Sequence, residues 1–209
     1  MSFIATPAPD AADDAAAEMY RRQQAAWGFV PNYAKVFGHR PGVMARWGQL
    51  LAEIRRPMDK RRFELVTFVA AHALDHTACA LVHGKALRAF FSDGQVLAIA
   101  DDRLDGVLEA AEQAMLRFAR QVARDASRVT AARVAALAAH GFSDAEIFDI
   151  AAATAGRAFF AKLLDALGVL ADAPMGELDA TLRRALTVGR PIDAQPPVTM
   201  PAEGMRHVA

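Results

Sequence analysis

"SDAEIFDIAAATAGRAFFAKLLDALG", residues 143–168, reads as one whole helix from first cap to final stop. Ser143 and Glu146 have the spacing of a capping box, in which each side chain accepts a hydrogen bond from a backbone amide the helix leaves orphaned. Ile147, Ile150, Phe160, Leu164 and Leu167 follow on one stripe, and Gly168 suits the left-handed turn that ends a helix. The rest of the chain has the same pattern. Leu108, Ala111, Met115, Phe118 and Val122 recur at the spacing of a buried helical face. Met44, Trp47, Leu51 and Ile54 form another face, which stops at Pro57 for want of a backbone N–H. Asp59 is placed to cap an element striped by Phe63, Val66 and Ala70. Helices are also predicted over 13–26, through Cys79 to Phe90 or Phe91, from Ser92 or Asp93 through "QVLAIA", from Thr130 to Gly141, and over 177–188. "WGFVPNYAKVFGHRPG" reads as a connector broken up by Gly and Pro.

Composition agrees with this pattern. Alanine, the strongest helix former and a poor strand former, makes up about a quarter of the 209 residues. The expected fold class is all-α, with about eight helices. No long polar linker divides the chain. The divisions are 1–27, an N-terminal extension with the first helix; 28–170, the helical domain; and 171–209, a short helix with a Pro-rich arm. The tail "GRPIDAQPPVTMPAEGMRHVA" has too little apolar periodicity to fold alone, so it is expected either to be disordered or to lie on another subunit.

Lys and Arg together number 24, as do Asp and Glu, and no basic run exceeds a few residues. A nucleic-acid partner is therefore not expected, because that affinity comes largely from neutralising phosphates. The N-terminal "MSFIATPAPDAADD" lacks the basic and apolar regions of a signal peptide. The apolar stretches are interrupted by charged residues before reaching the ~18 a membrane span needs. A cytoplasmic protein with no membrane partner is the expectation. No Gly-rich phosphate loop or dinucleotide fingerprint occurs, and no cofactor is expected.

The only cysteine, Cys79, lies in "DHTACALVHG", residues 75–84, between His76 and His83. If 76, 79 and 83 lie in one helix, all three side chains leave from one face. An imidazolium beside a thiol favours thiolate, the form that attacks and is oxidised. Two other readings remain open here. A cysteine among Ala, Leu and Val can be a small core residue. His76, Cys79 and His83 with Glu64 as a fourth ligand have the types of a zinc site, although one helix rarely closes three bonds on one ion.

Glu64, eleven residues, then a cluster at 76, 79 and 83 resembles the alkylhydroperoxidase D-like branch of the carboxymuconolactone decarboxylase superfamily. That family has Glu, eleven residues, then Cys-x-x-Cys-x-x-x-His. "GFVPNYAKVFGHRPGVMARWGQLL" resembles its lead-in helix, and residues 108–169 resemble the second half of its peroxidase-related members. The resemblance spans roughly 28–170. It implies that Cys79 is the cysteine that attacks peroxide, that His83 and Glu64 shuttle the proton, and that Cys79 stands in the first turn of a helix after a break, for which Asp75 is the available cap. His76 departs from the pattern, standing where the family has its first cysteine. The usual disulfide that follows sulfenic acid formation cannot form at this position.

Three functions follow. The first is a hydroperoxide-reducing thiol oxidoreductase using Cys79, with His76 holding the thiolate, Glu64 and His83 relaying the proton and an external thiol as reductant. The second is a non-redox acid/base enzyme acting on a small cyclic acid or lactone. The third is a non-catalytic or thiol-sensing oligomer. Family members self-associate, so a homo-oligomer built from dimers is implied.

Overall fold

The computed structural model describes residues 2–200. They form α1 (Asp14–Trp27), α2 (Asn32–Phe37), α3 (Pro41–Arg55), α4 (Lys60–Ala73), α5 (Thr77–Leu87), α6 (Asp93–Ala100), α7 (Ala110–Asp125), α8 (Ala131–Ala139), α9 (Asp144–Ala166) and α10 (Ala180–Leu186). Among the described residues the extended pairings are two isolated bridges, Val30 with Val198 and Ala171 with Ile192. The fold is all-α, and no described helix is long and apolar enough to cross a membrane.

The caps predicted from sequence start these helices. The Asp59 carboxylate accepts from the Arg62 N–H, Thr130 accepts from Arg133, and Ser143 with Glu146 closes the capping box of α9. Gly168 ends that helix with φ +71, a backbone conformation that costs a residue with a side chain. α2 is the helix the sequence reading missed. It sits inside the punctuated connector, where Pro31 pre-sets the chain and Ala34, Val36 and Phe37 turn inward. α5 stops at Leu87, short of the expected Phe90.

α4 is the axis of the core. Every residue from Phe63 to Ala71 is buried, as expected of a helix packed on all sides. α5, α7 and α9 pack around it, and α10 closes on α5 and α6. A second apolar cluster joins α1, α2, α3 and α9 through Tyr20, Phe37 and Phe160, and Cys79 belongs to it. Burying each large side chain in these clusters contributes about 1.5–3 kcal/mol.

The tail does not follow either expectation as far as residue 200. It lies along its own chain. The Gly189 N–H donates to Thr77 Oγ1 at 3.0 Å, Asn32 Nδ2 donates to the Asp193 carboxylate at 3.2 Å, and the Val30 N–H donates to the Val198 carbonyl at 2.8 Å. Apolar periodicity could not reveal this docking, because hydrogen bonds to α2 and to the turn before α5 hold the arm. Residues 201–209, including His207, lie outside the described residues.

Candidate active site

The turn between α4 and α5 sets the site. Asp75 takes a left-handed φ of 55. The His76 N–H reaches back to the Ala71 carbonyl at 3.0 Å, and that of Asp75 to His72 at 3.1 Å. This is the Schellman ending of a helix. The next helix begins at once. His76, with φ −97 and ψ 97, is its N-cap, and His76 Nδ1 accepts the Cys79 N–H at 3.3 Å. Cys79 and His83 share a face of α5, but His76 is not on that face, contrary to the single helical face expected from sequence. Asp75, the residue available as a cap, makes the turn instead.

Cys79 does stand in the first turn of its helix, and only 5% of it is exposed. Arg157, on α9 and 4% exposed, donates from Nη1 to Cys79 Sγ at 3.4 Å. Burial pushes the thiol pKa up. The Arg157 guanidinium and the His76 ring oppose this and prevail, bringing it down to about 7. Burial also works against a charge on His76, but the adjacent sulfur outweighs it and raises the His76 pKa. Among the described residues no carboxylate pairs with Arg157, and its buried Nε has no hydrogen-bond partner. The guanidinium lies 5.9 Å from the ring centres of Trp47 and Phe160.

His83 and Glu64 form a second pair. His83 Nδ1 lies 2.7 Å from Glu64 Oε2, on neighbouring helices. Burial first, and Arg157 second, hold the His83 pKa down to about 4 against the pull of Glu64. Burial pushes Glu64 up, but its hydrogen bond and charge interaction with His83 bring its pKa below the usual value. At neutral pH the pair is thus a carboxylate accepting the Nδ1–H of a neutral ring, which leaves Nε2 with its lone pair.

Cys79, His83 and Arg157 line a cavity of about 220 Å³, and Trp27, Tyr33, Met44, Trp47, Phe160 and Met175 form most of the rest of its wall. Trp47 stacks on Phe160 with ring centres 4.5 Å apart, and Tyr33 meets Phe160 edge-on at 5.3 Å. The ring heteroatoms are engaged elsewhere: the Trp47 N–H donates to the Gly156 carbonyl and the Tyr33 hydroxyl to Gln23. Glu64 and His76 do not line the cavity. Glu64 hydrogen-bonds to His83, and His76 to the backbone of Cys79. Among the described residues no group of three or more His, Cys, Asp or Glu is arranged to hold a metal ion.

Of the four residues selected from sequence, Cys79 and His83 line the cavity, while Glu64 and His76 stand behind them as their hydrogen-bond partners. Arg157 was missed. Its position offered a signal, because it falls seven residues after Ile150 and seven before Leu164, on the stripe α9 buries. A lone arginine in an apolar run reads as an interruption until the partner across the core is known.

A scan against protein-family models finds no match, and a search of curated proteins finds none. Solved structures do match. A peroxidase-related protein from Ralstonia eutropha JMP134, described as an alkylhydroperoxidase AhpD core, aligns with a TM-score of 0.69 at 23% identity, covering 90% of this chain and 98% of that one. A peroxidase-related protein from Silicibacter sp. TM1040 gives 0.71 at 21% identity, over 83% of this chain and 93% of that one. The debrominase Bmp8, as a cysteine-to-alanine variant in complex with 2,3,4-tribromopyrrole, gives 0.67 at 18% identity, over 89% and 98%. With its helical core built on α4 and its cysteine at the head of α5, this chain has the alkylhydroperoxidase D-like fold.

Proposed function

We propose that this protein is a thiol oxidoreductase that reduces hydroperoxides with Cys79 as its only redox sulfur. The observation that supports this most is the buried sulfur under the Arg157 guanidinium, on a cavity wall shared with His83. Arg157 and His76 favour the thiolate, His83 Nε2 relays the thiol proton, and Glu64 balances the charge this places on the ring. The thiolate attacks the terminal oxygen of ROOH and the O–O bond breaks. The leaving alkoxide takes the proton from His83 as ROH, and Cys79 becomes a sulfenic acid. One external thiol then forms a mixed disulfide with loss of water, and a second releases Cys79. The test is thiol-dependent loss of an organic hydroperoxide. It is expected with the wild-type protein and absent with Cys79→Ser; equal rates for the two would refute the reading.

The aromatic walls favour one second reading, the reductive removal of halogen from an aromatic ring; Bmp8 is named a debrominase and its variant was solved with 2,3,4-tribromopyrrole. The thiolate would take the halogen as a sulfenyl halide, the ring carbon would keep a proton in its place, and external thiol would release halide. Halide release from a bromopyrrole, set against hydroperoxide loss, separates the two. In a non-redox enzyme Cys79→Ala would leave most activity while His83→Ala removed it.

A further inference from the structure

Resting on the reading of Cys79 as the sulfur that is oxidised, we propose that its reductant is a low-molecular-weight monothiol and not a protein dithiol. The chain has one cysteine, so the resolving sulfur comes from outside. It must reach the sulfur of a residue that is 5% exposed, in line with the bond being broken. The position that a neighbouring thiol would need is taken: His76 is buried there, tied to the Cys79 backbone through Nδ1. The remaining approach is the cavity of about 220 Å³.

That approach is walled by aromatic and apolar side chains. Trp27, Val82 and Met175 line both this cavity and an adjoining chamber of about 240 Å³. A cysteine on a protein surface carries its sulfur one carbon beyond its Cα. Two folded surfaces meeting at Trp27, which is 37% exposed, leave that sulfur outside the aromatic wall. A small thiol passes the wall with its sulfur leading. Inside it meets the Arg157 guanidinium, which makes no ion pair with a described carboxylate and whose buried Nε is unpartnered. That cation favours the attacking group as thiolate, the reactive form.

The chemistry balances as two exchanges. Cys79–SOH with RSH gives Cys79–S–S–R and water; a second RSH gives Cys79–SH and R–S–S–R. For the test, the protein is oxidised with one equivalent of organic hydroperoxide. Its re-reduction by free cysteine is then compared with that by reduced thioredoxin, followed by intact mass and tryptophan fluorescence. Free cysteine is expected to pass through a single mixed disulfide. The protein dithiol is expected to be about 10²-fold slower, the scale of loss when reacting atoms are held off line. Equal or faster reduction by the protein dithiol overturns the proposal.

A parallel arm needs no peroxide: reduced Cys79 is offered free cysteine or a single-cysteine thioredoxin variant, each activated as its mixed disulfide with thionitrobenzoate, and release of thionitrobenzoate is expected with the cysteine conjugate alone. If hydroperoxide fails to oxidise Cys79, the proposed function falls, while this arm still decides access. Trp27→Ala and Met175→Ala are each expected to narrow the gap between small and protein thiol. A gap unchanged in both variants counts against the aromatic wall as its cause.

Discussion

Without the guanidinium of Arg157, Cys79 loses the strongest of the two influences that hold its proton off. The depressed pKa means that thiolate is present above about 7 and is lost as the pH falls through that value. Alkylation of Cys79 should therefore rise with pH with a midpoint near about 7. In Arg157→Met the midpoint should move up by about 1–3 pH units, the range for losing a neighbouring opposite charge. A midpoint that does not move would remove Arg157 from the account. His83→Gln makes a different prediction, because His83 handles the proton and does not set the thiolate. The rate with hydroperoxide should fall by about 10²–10⁴-fold, while alkylation well above the thiol pKa changes far less. Stopped-flow rates and alkylation on the same samples check this.

At the scale of the element, the turn from α4 to α5 has one residue that ends a helix and another that starts the next. Asp75 tolerates the left-handed backbone, as short polar side chains do, and a β-branched residue does not. Asp75→Val should cost about 1–2 kcal/mol and lower the midpoint of urea unfolding. Gly189 is tied to the same turn. A Cβ there would lie 1.8 Å from the Asp75 carbonyl oxygen, so Gly189→Ala must push the arm or the turn aside. It should destabilise by about 1–3 kcal/mol and also shift the Cys79 alkylation midpoint, which a fault confined to the arm would not do.

The same turn marks the limit of what the sequence discloses. Ser143, Glu146, Asp59 and Thr130 announce their helices because their side chains do a local job that spacing reveals. Glu64 and His83 were legible through a known pattern. His76 was misplaced because the three-residue step to Cys79 suits both a helical face and a cap, and histidine is not among the usual caps. Arg157 meets Cys79 across 78 residues of chain, through the packing of both α5 and α9 on α4, which no local pattern encodes.

For the whole molecule, the outer sides of α3 and α9 leave a face that water does not favour. Leu50 is 56% exposed and Phe148 69%, with Val43 and Phe159 also open. α3 has no buried residue at all, although it carries Trp47, Leu51 and Ile54. We propose that this face supports the homo-oligomer implied by the sequence resemblance. Leu50→Glu combined with Phe148→Glu should reduce the sedimentation coefficient while the far-ultraviolet spectrum stays helical. A wild-type protein that already sediments as a single chain would end this proposal.

The arm beyond α10 also bears on how the protein is made. Gly189, Asp193 and Val198 hold the turn before α5 and the start of α2 only after translation has passed them. Until then the nascent chain has its cysteine, its arginine and its glutamate–histidine pair, but not the strap across their hinge. A ribosome stalled before codon 189 would hold the turn ahead of Cys79 without its strap, so the thiol should reach its settled acidity only once residues 189–198 have been made and docked.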